Sequence, residues 1–130
     1  KKWITNLVKN FKNKSVAGVY GRQEPLNNSE PGDIRDLTYL FGLDKKIQTK
    51  DPFFHNANSM IRKNIWDKNK FDERTPHIED RLWASKILNK KYKIIYEPSA
   101  KVFHFHGVSH DHNFQRVNTI SKILKKKIKN

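Results

Sequence analysis

The sequence predicts an α/β fold. Segments with helical and strand periodicity alternate along the chain, in an order typical of the α/β or α+β class. The 130 residues suit a single domain, and the hydrophobic fraction of 35%, with 12% aromatic residues, is sufficient for one core. The sequence contains no internal repeat and no run of about eighteen apolar residues, the length that spans a bilayer.

The first third of the chain is predicted to contain two helices and a strand. Apolar residues from Trp3 to Phe11 recur at spacings of three and four, which indicates an amphipathic helix. SVAGVYG (15–21) is rich in β-formers between turn residues and indicates a short buried strand. QEPLNNSEPG (23–32) is predicted to be a loop because its residues favour turns. IRDLTYLFG (34–42) is predicted to be a helix that ends at its glycine.

The middle of the chain combines a turn with two helical segments. DPFFHNANSMIRKNIW (51–66) turns at Pro52, extends, and then returns to helical spacing. FDERTPHIEDRLWASKILNKKY (71–92) has the clearest helical pattern in the chain, and Pro76 is expected in its first turn. Acidic residues close to this N-terminus complement the helix dipole.

Two strands are predicted to follow this helix. KIIYEP reads as a strand that ends at Pro98, since proline cannot donate to a sheet ladder. AKVFHFHG alternates in polarity, so we expect His104 and His106 on the same face of a second strand.

The charge of the chain narrows the classes of partner. Lys and Arg total 27 against 13 acidic residues, and the net charge of +14 predicts attraction to nucleic acid, anionic lipid or a phosphate-bearing substrate. A basic nucleic-acid-binding module is therefore an alternative, although the sequence has no helix-turn-helix, zinc-finger or RNP-like pattern. The absence of Cys excludes disulfides, thiolate metal sites and cysteine nucleophiles, so a metal would need His, carboxylate or water ligands.

Two groups of residues have the chemistry of a functional site. The adjacent carboxylates Glu79 and Asp80 either stabilise a helix dipole or take part in catalysis. Four histidines lie between residues 101 and 112. Of these, His104 and His106 either bind a metal or occupy a half-buried strand face, and a zinc site of all four histidines is a further alternative.

Three segments, NANSMIRK, KFDE and IEDRLWASKILNKKYKIIYEPSAKVFHFHG, carry a family resemblance. Their series resembles the acceptor-side half of inverting, family-two nucleotide-sugar glycosyltransferases with the GT-A fold. VAGVYGRQEP is most similar to the bacterial rhamnosyltransferase-like branch that builds surface polysaccharides. The resemblance runs from Trp3 to about Arg116. It implies a partial GT-A sandwich with a mixed sheet flanked by helices. It also implies a nucleotide-sugar donor and a polysaccharide or lipid-linked saccharide acceptor.

The resemblance also implies roles for the two groups of candidate residues. Asp80 would be the general base that takes the proton from the acceptor hydroxyl, and Glu79 would support it. His104, with His106 as a second candidate, would bind the divalent cation, Mn²⁺ or Mg²⁺, that bridges the donor's diphosphate.

Further residues match the family's substrate cleft. Asn58, Ser59 and Arg62 match a stretch that lines it, where an Arg can pair with phosphate oxygens, and the alternative is an Asn turn followed by an exposed Arg. Arg22 and Gln23 are expected to border the acceptor pocket.

The resemblance sets the expected organisation of the chain. Members of the family carry an acidic Asp-x-Asp motif and a nucleotide-binding half, and this sequence has neither. Residues 1–113 are thus expected to be the C-terminal part of a glycosyltransferase domain, followed by a basic amphipathic helical tail at 114–130. We expect the isolated chain to be catalytically inert and to self-associate through uncovered apolar surface. A cytoplasmic location is expected, with peripheral attachment to the anionic inner face of the membrane.

Overall fold

A mixed four-stranded sheet forms the centre of the computed structural model, which describes residues 2–105 and 113–128. The strands are β1 (Val16–Glu24), β2 (Lys46–Gln48), β3 (Ser59–Ile61) and β4 (Lys93–Phe103). Their order across the sheet is β2-β4-β1-β3, with β1 and β4 parallel and both edge strands antiparallel to their neighbours. The predicted α/β architecture with a mixed sheet is confirmed.

Helices pack on both faces of this sheet. The α-helices of the described residues are α1 (Lys2–Val8), α2 (Pro31–Leu40), α3 (Lys63–Lys68), α4 (Glu79–Asn89) and α5 (Asn113–Ile128), and the first four contribute side chains to the two cores. On one face, Leu7 of α1 packs with Val16, Val19 and Ile95. On the other face, α2, α3 and α4 contribute Leu37, Ile65 and Trp83 to a larger cluster. The sheet is therefore buried on both sides, which explains the apolar run of β1.

Aromatic rings fill much of the larger cluster. The ring centroids of Tyr20 and Tyr96 are 5.0 Å apart, and those of Phe54 and Trp83 are also 5.0 Å apart. Gly18 lies beneath the second pair, where an added Cβ would come within 3.1 Å of the Phe54 ring and 3.2 Å of the Trp83 ring. The glycine in the middle of β1 thus makes room for these two rings.

The boundaries of β1 and β4 differ from the predicted ones. β1 extends to Glu24, into the segment predicted as a loop, and β4 continues through Pro98 to Phe103. The pairing between the strands jumps from Gly21 with Glu97 to Gln23 with Val102. Pro98 therefore lies in a bulge, where its missing N–H costs no ladder hydrogen bond, and the prediction that it ends the strand is wrong.

The start of α4 also differs from the prediction. The helix begins at Glu79, whereas Pro76 was expected in its first turn. His77 has a φ of 74°, in the left-handed region that a right-handed helix cannot include. The helical pattern before residue 79 therefore belongs to a turn, and both acidic residues fall in the true first turn of α4.

Within residues 2–105 and 113–128, every helix falls short of the length and apolarity needed to cross a bilayer.

Candidate active site

A cleft of about 210 Å³ opens at the N-terminal end of α4. Its walls come from the end of α2, the segment before β3, the start of α4 and the first turns of α5. The polar and charged residues in these walls are His55, His77, Asp80, Arg81 and Arg116. The volume is below the roughly 300–1,000 Å³ of typical small-molecule pockets, so the cleft suits a ligand group of limited size.

Asp80 is half-buried in the wall of the cleft. Its Oδ1 accepts the backbone N–H of Arg81 at 2.7 Å, and its Oδ2 accepts that of Asn56 at 3.4 Å. Burial raises the pKa of this carboxyl; the two hydrogen bonds oppose the increase and the charge of Glu79 adds to it. A carboxylate with a raised pKa beside a cleft has the properties of a general base.

Glu79 precedes Asp80 in the first turn of α4 and is also half-buried. Its Oε2 is buried and has no hydrogen-bond partner among the described residues. The contribution of Glu79 that the structure shows is electrostatic, since its negative charge helps to raise the pKa of Asp80.

His55 is a residue of the cleft wall that the sequence analysis missed. Its Nδ1 lies 2.8 Å from Nε2 of Gln23 and 3.4 Å from the backbone nitrogen of Ala57. Because a backbone N–H can only donate, Nδ1 is the acceptor, and the neutral ring carries its proton on Nε2. The sequence signal for this site is weak: a histidine after two phenylalanines in an irregular segment.

His104 lies beside His55, a residue of the cleft wall. Its backbone N–H donates to the carbonyl oxygen of Glu24 at 2.9 Å, which continues the pairing of β4 with β1. The rings of His104 and His55 have centroids 6.3 Å apart and are nearly perpendicular, at 74°. His55 in turn shares the cleft with Asp80. His104 is therefore next to a residue that shares the cleft with Asp80.

The described residues do not form a complete metal site. Across residues 2–105 and 113–128 there is no group of three or more His, Asp or Glu side chains placed to hold an ion. His106, the second predicted ligand, lies outside the described residues, as do His110 and His112. A pair of imidazoles provides too few ligands for a stable site.

Gln23 lies behind the cleft wall, and Arg22 precedes it on β1. The Gln23 side chain is 1% exposed and contacts His55 from β1. Arg22 lies 3.5 Å from the carboxylate of Glu24, and its buried Nε has no hydrogen-bond partner in the described part of the chain. Gln23 thus orients a residue of the cleft and is not itself part of the wall.

Asn58 and Ser59 have local structural contacts. The Nδ2 of Asn58 donates to the carbonyl oxygens of Ala100 at 2.8 Å and Arg22 at 3.1 Å, so the buried amide bridges the bulge between β1 and β4. The hydroxyl of Ser59 donates to the backbone oxygen of Asn56 at 3.1 Å. These contacts explain the polar residues of NANS by strand pairing and turn formation.

Arg62 is also explained by backbone contacts. Its guanidinium donates to the carbonyl oxygens of Val16 at 2.8 Å, Phe11 at 2.8 Å and Asn13 at 2.9 Å. It lies 5.3 Å from the centre of the Phe11 ring. Arg62 therefore ties the connection between α1 and β1 to the edge strand, and three of its five donors are directed away from the cleft.

Comparison with curated proteins found two related glycosyltransferases. The O-antigen chain rhamnosyltransferase WbaN of Salmonella anatum and the O-antigen chain rhamnosyltransferase RfbN of Salmonella typhimurium (strain LT2) are each 28% identical to this chain over 123 residues. The aligned region covers 87% of this chain and 39% of each relative. The chain thus spans about two-fifths of the length of these relatives.

A third similarity covers little of the other protein. A C2 domain-containing protein of Plasmodium falciparum (isolate 3D7) is 28% identical over 109 residues, which are 80% of this chain and 6% of that protein. No family model and no solved structure matched the chain. Both Salmonella proteins are named O-antigen chain rhamnosyltransferases, and the aligned region covers the same share of each. Most of this chain is therefore similar to a part of these two proteins.

Proposed function

We propose that this chain is the acceptor-side part of an inverting, family-two glycosyltransferase with the GT-A fold. Such an enzyme transfers a sugar from a nucleotide-sugar donor to a saccharide acceptor. The observation that carries the proposal is the similarity to two proteins named rhamnosyltransferases over 87% of this chain. The position of Asp80, half-buried in a cleft and with a raised pKa, supports it.

Asp80 is the general base in this proposal. Its carboxylate accepts the proton of an acceptor hydroxyl while the hydroxyl oxygen attacks the anomeric carbon of the donor. The bond from that carbon to the diphosphate oxygen breaks, and the diphosphate leaves with the bonding electron pair. Attack from the face opposite the leaving group inverts the configuration at the anomeric carbon.

His55 positions the acceptor in the same proposal. The contact from Gln23 fixes the orientation of the His55 ring in the cleft wall, where the ring can pack against a saccharide. The limited volume of the cleft, about 210 Å³, suits one sugar ring better than a whole nucleotide sugar. We therefore place the acceptor sugar in the cleft.

Binding of a divalent cation remains a proposal, and we assign no step of the transfer reaction to it. The resemblance pointed to Mn²⁺ or Mg²⁺ held by His104 and His106, and the described residues alone do not provide a ligand set. When bound, such an ion would neutralise charge on the leaving diphosphate. The catalytic inertness of the isolated chain likewise remains a prediction.

Nucleic-acid binding has less support than sugar transfer. Its motivation is the net charge of +14, a sequence-wide property that does not distinguish nucleic acid from other polyanions. Neither the cleft nor the related proteins favour it, so we do not propose it.

The proposal is tested by substituting Asp80 in the complete gene product that contains this chain. Membranes from cells that express each variant are incubated with a radiolabelled nucleoside-diphosphate rhamnose, and incorporation into polysaccharide is measured. Asp80→Asn is expected to lower transfer by about 10²–10⁴-fold, the usual contribution of a general base. Asp44→Asn, at an exposed site, is the matched control and should transfer at the wild-type rate. Unchanged transfer by Asp80→Asn would remove Asp80 from the mechanism.

A further inference from the structure

The helix α5 carries an exposed apolar stripe. Phe114, Val117 and Leu124 are 75%, 52% and 44% exposed. Spacings of three and seven residues place these side chains along one side of a helix. Apolar side chains that are grouped in this way and remain open to solvent mark a surface that binds something.

Basic residues surround this stripe. α5 contains five basic and no acidic residues in the segment NFQRVNTISKILKKKI, and Lys122, Lys125 and Lys126 are exposed. At about 100° of rotation per residue, Lys125 and Lys122 project from the side of the helix that adjoins the apolar stripe. The helix therefore combines an exposed apolar side with an adjoining cationic side.

We propose that α5 docks in the plane of an anionic lipid surface. A basic amphipathic helix inserts its apolar side between lipid headgroups while its lysines pair with the anionic phosphates. A nucleic acid would attract the lysines and leave the apolar stripe in water. A second copy of the helix would bring two cationic surfaces together, which charge repulsion opposes.

Docking of α5 would also orient the cleft. Arg116 and Ile120 line the cleft together with Asp80. Ile120 lies three residues after Val117 and four before Leu124, so the cleft borders the stripe. A docked α5 would therefore hold the cleft at the lipid surface. Docking needs only the exposed stripe and the lysines, so it stands independently of the proposed sugar transfer.

Vesicle co-sedimentation of the full chain tests the apolar part of the inference. The vesicles contain either phosphatidylglycerol and phosphatidylcholine in equal parts or phosphatidylcholine alone. Phe114→Ser/Leu124→Ser is expected to lower partitioning onto the anionic vesicles by about tenfold. The control is Ile4→Ser/Val8→Ser on α1, which removes side chains that are 47% and 48% exposed on the opposite face of the sheet. This control should bind as the wild type does.

A second pair of variants tests the charge. Lys122→Gln/Lys125→Gln/Lys126→Gln should weaken binding to anionic vesicles and reduce its dependence on salt. Lys46→Gln/Lys50→Gln/Lys68→Gln makes the same change in net charge at exposed sites elsewhere and should have a smaller effect. Circular dichroism checks that each variant keeps its helical content.

Three results would overturn the inference. The first is equal binding of the wild-type chain to both kinds of vesicle, and the second is an equal loss of binding in the α1 control. The third is a change of oligomeric state, measured by light scattering, that accounts for the effect of Phe114→Ser/Leu124→Ser, since the stripe would then bind a second copy.

Discussion

The side-chain nitrogen Nε2 of Gln23 lies 2.8 Å from Nδ1 of His55, and this contact joins the central strand β1 to the wall of the cleft. Gln23 is buried, so the contact is shielded from competing water. Because Nδ1 accepts, the contact selects the ring tautomer with the proton on Nε2.

Replacing Gln23 should change the tautomer of His55. Gln23→Leu removes the donor, and we expect part of the His55 population to move its proton to Nδ1. The ¹⁵N chemical shifts of the His55 ring measure this directly, in a way that a loss of stability alone would not reproduce. Gln115→Leu, at an exposed position, is the control. Ring shifts that stay the same in Gln23→Leu would show that the contact does not set the tautomer.

Asp80 should make the folded state less stable as the pH rises. Its pKa is raised on folding, mainly by burial, so the folded state favours the protonated carboxyl. This contribution to stability is fully present below the pKa of an unfolded Asp, about 4, and is lost as the pH rises through the folded-state pKa. The unfolding free energy of Asp80→Asn relative to the wild type should therefore increase with pH over that window. Urea unfolding at several pH values measures it, and a flat difference would contradict the burial effect.

Glu97 should have the opposite effect: it should make the folded state less stable as the pH falls. The carboxylate is buried beneath α1; burial alone would raise its pKa, but hydrogen bonds from Ser99, Asn10 and Lys45 outweigh that effect and lower it to about 2. Stability from this group is present above about pH 4.5 and is lost as the pH falls toward about 2. Glu97→Gln should thus cost about 3 kcal/mol at neutral pH.

The control for Glu97→Gln is the same substitution at an acidic residue on the protein surface. Glu73→Gln, at an exposed position, should change the unfolding free energy by less than about 0.5 kcal/mol. If both variants unfold at the same urea concentration at neutral pH, the cluster around Glu97 does not stabilise the fold.

Gly21 should tolerate a methyl group less well than Gly18, although both lie in β1. A Cβ at Gly21 would overlap the backbone carbonyl oxygen of Ala100 and lie 2.5 Å from Nδ2 of Asn58. At Gly18 the neighbours are ring atoms of two side chains at 3.1–3.3 Å, which would need to move by only a few tenths of an ångström. We expect Gly21→Ala to destabilise by more than about 3 kcal/mol and Gly18→Ala by about 1–2 kcal/mol. Thermal unfolding of the two variants compares them, and the reverse order would contradict the close approach at the bulge.

Much of the fold could be predicted because its signals are local. The apolar spacing of α1 and the β-rich run of β1 identify both elements without knowledge of their neighbours. The two errors at prolines have a tertiary cause. Pro98 lies in a bulge that forms where β4 pairs with β1. The positive φ of His77 prevents α4 from beginning at Pro76. Strand pairing and backbone strain of this kind are not visible in a single segment.

The candidate site was less predictable than the fold. Asp80 could be predicted as a candidate because its place in the first turn of a helix and the family resemblance coincide, and its catalytic role stays a prediction. His55 could not, because its partner Gln23 is 32 positions away and its surroundings are irregular. Arg62 was predicted to contact phosphate, whereas its guanidinium bonds to carbonyl groups of residues between 11 and 16. The sequence shows that the Arg62 side chain can donate hydrogen bonds. It does not show whether the acceptors are phosphate oxygens or backbone carbonyl oxygens.

The pH dependence of sugar transfer by the complete gene product tests the central proposal most directly. A general base must be ionised, so the wild-type rate should rise with pH through the pKa of Asp80, which burial places above its ordinary value of 3.8. Asp80→Asn should transfer slowly and without this rise, while Asp44→Asn should follow the wild type. An Asp80→Asn enzyme with the wild-type rate and the same pH profile would contradict the account.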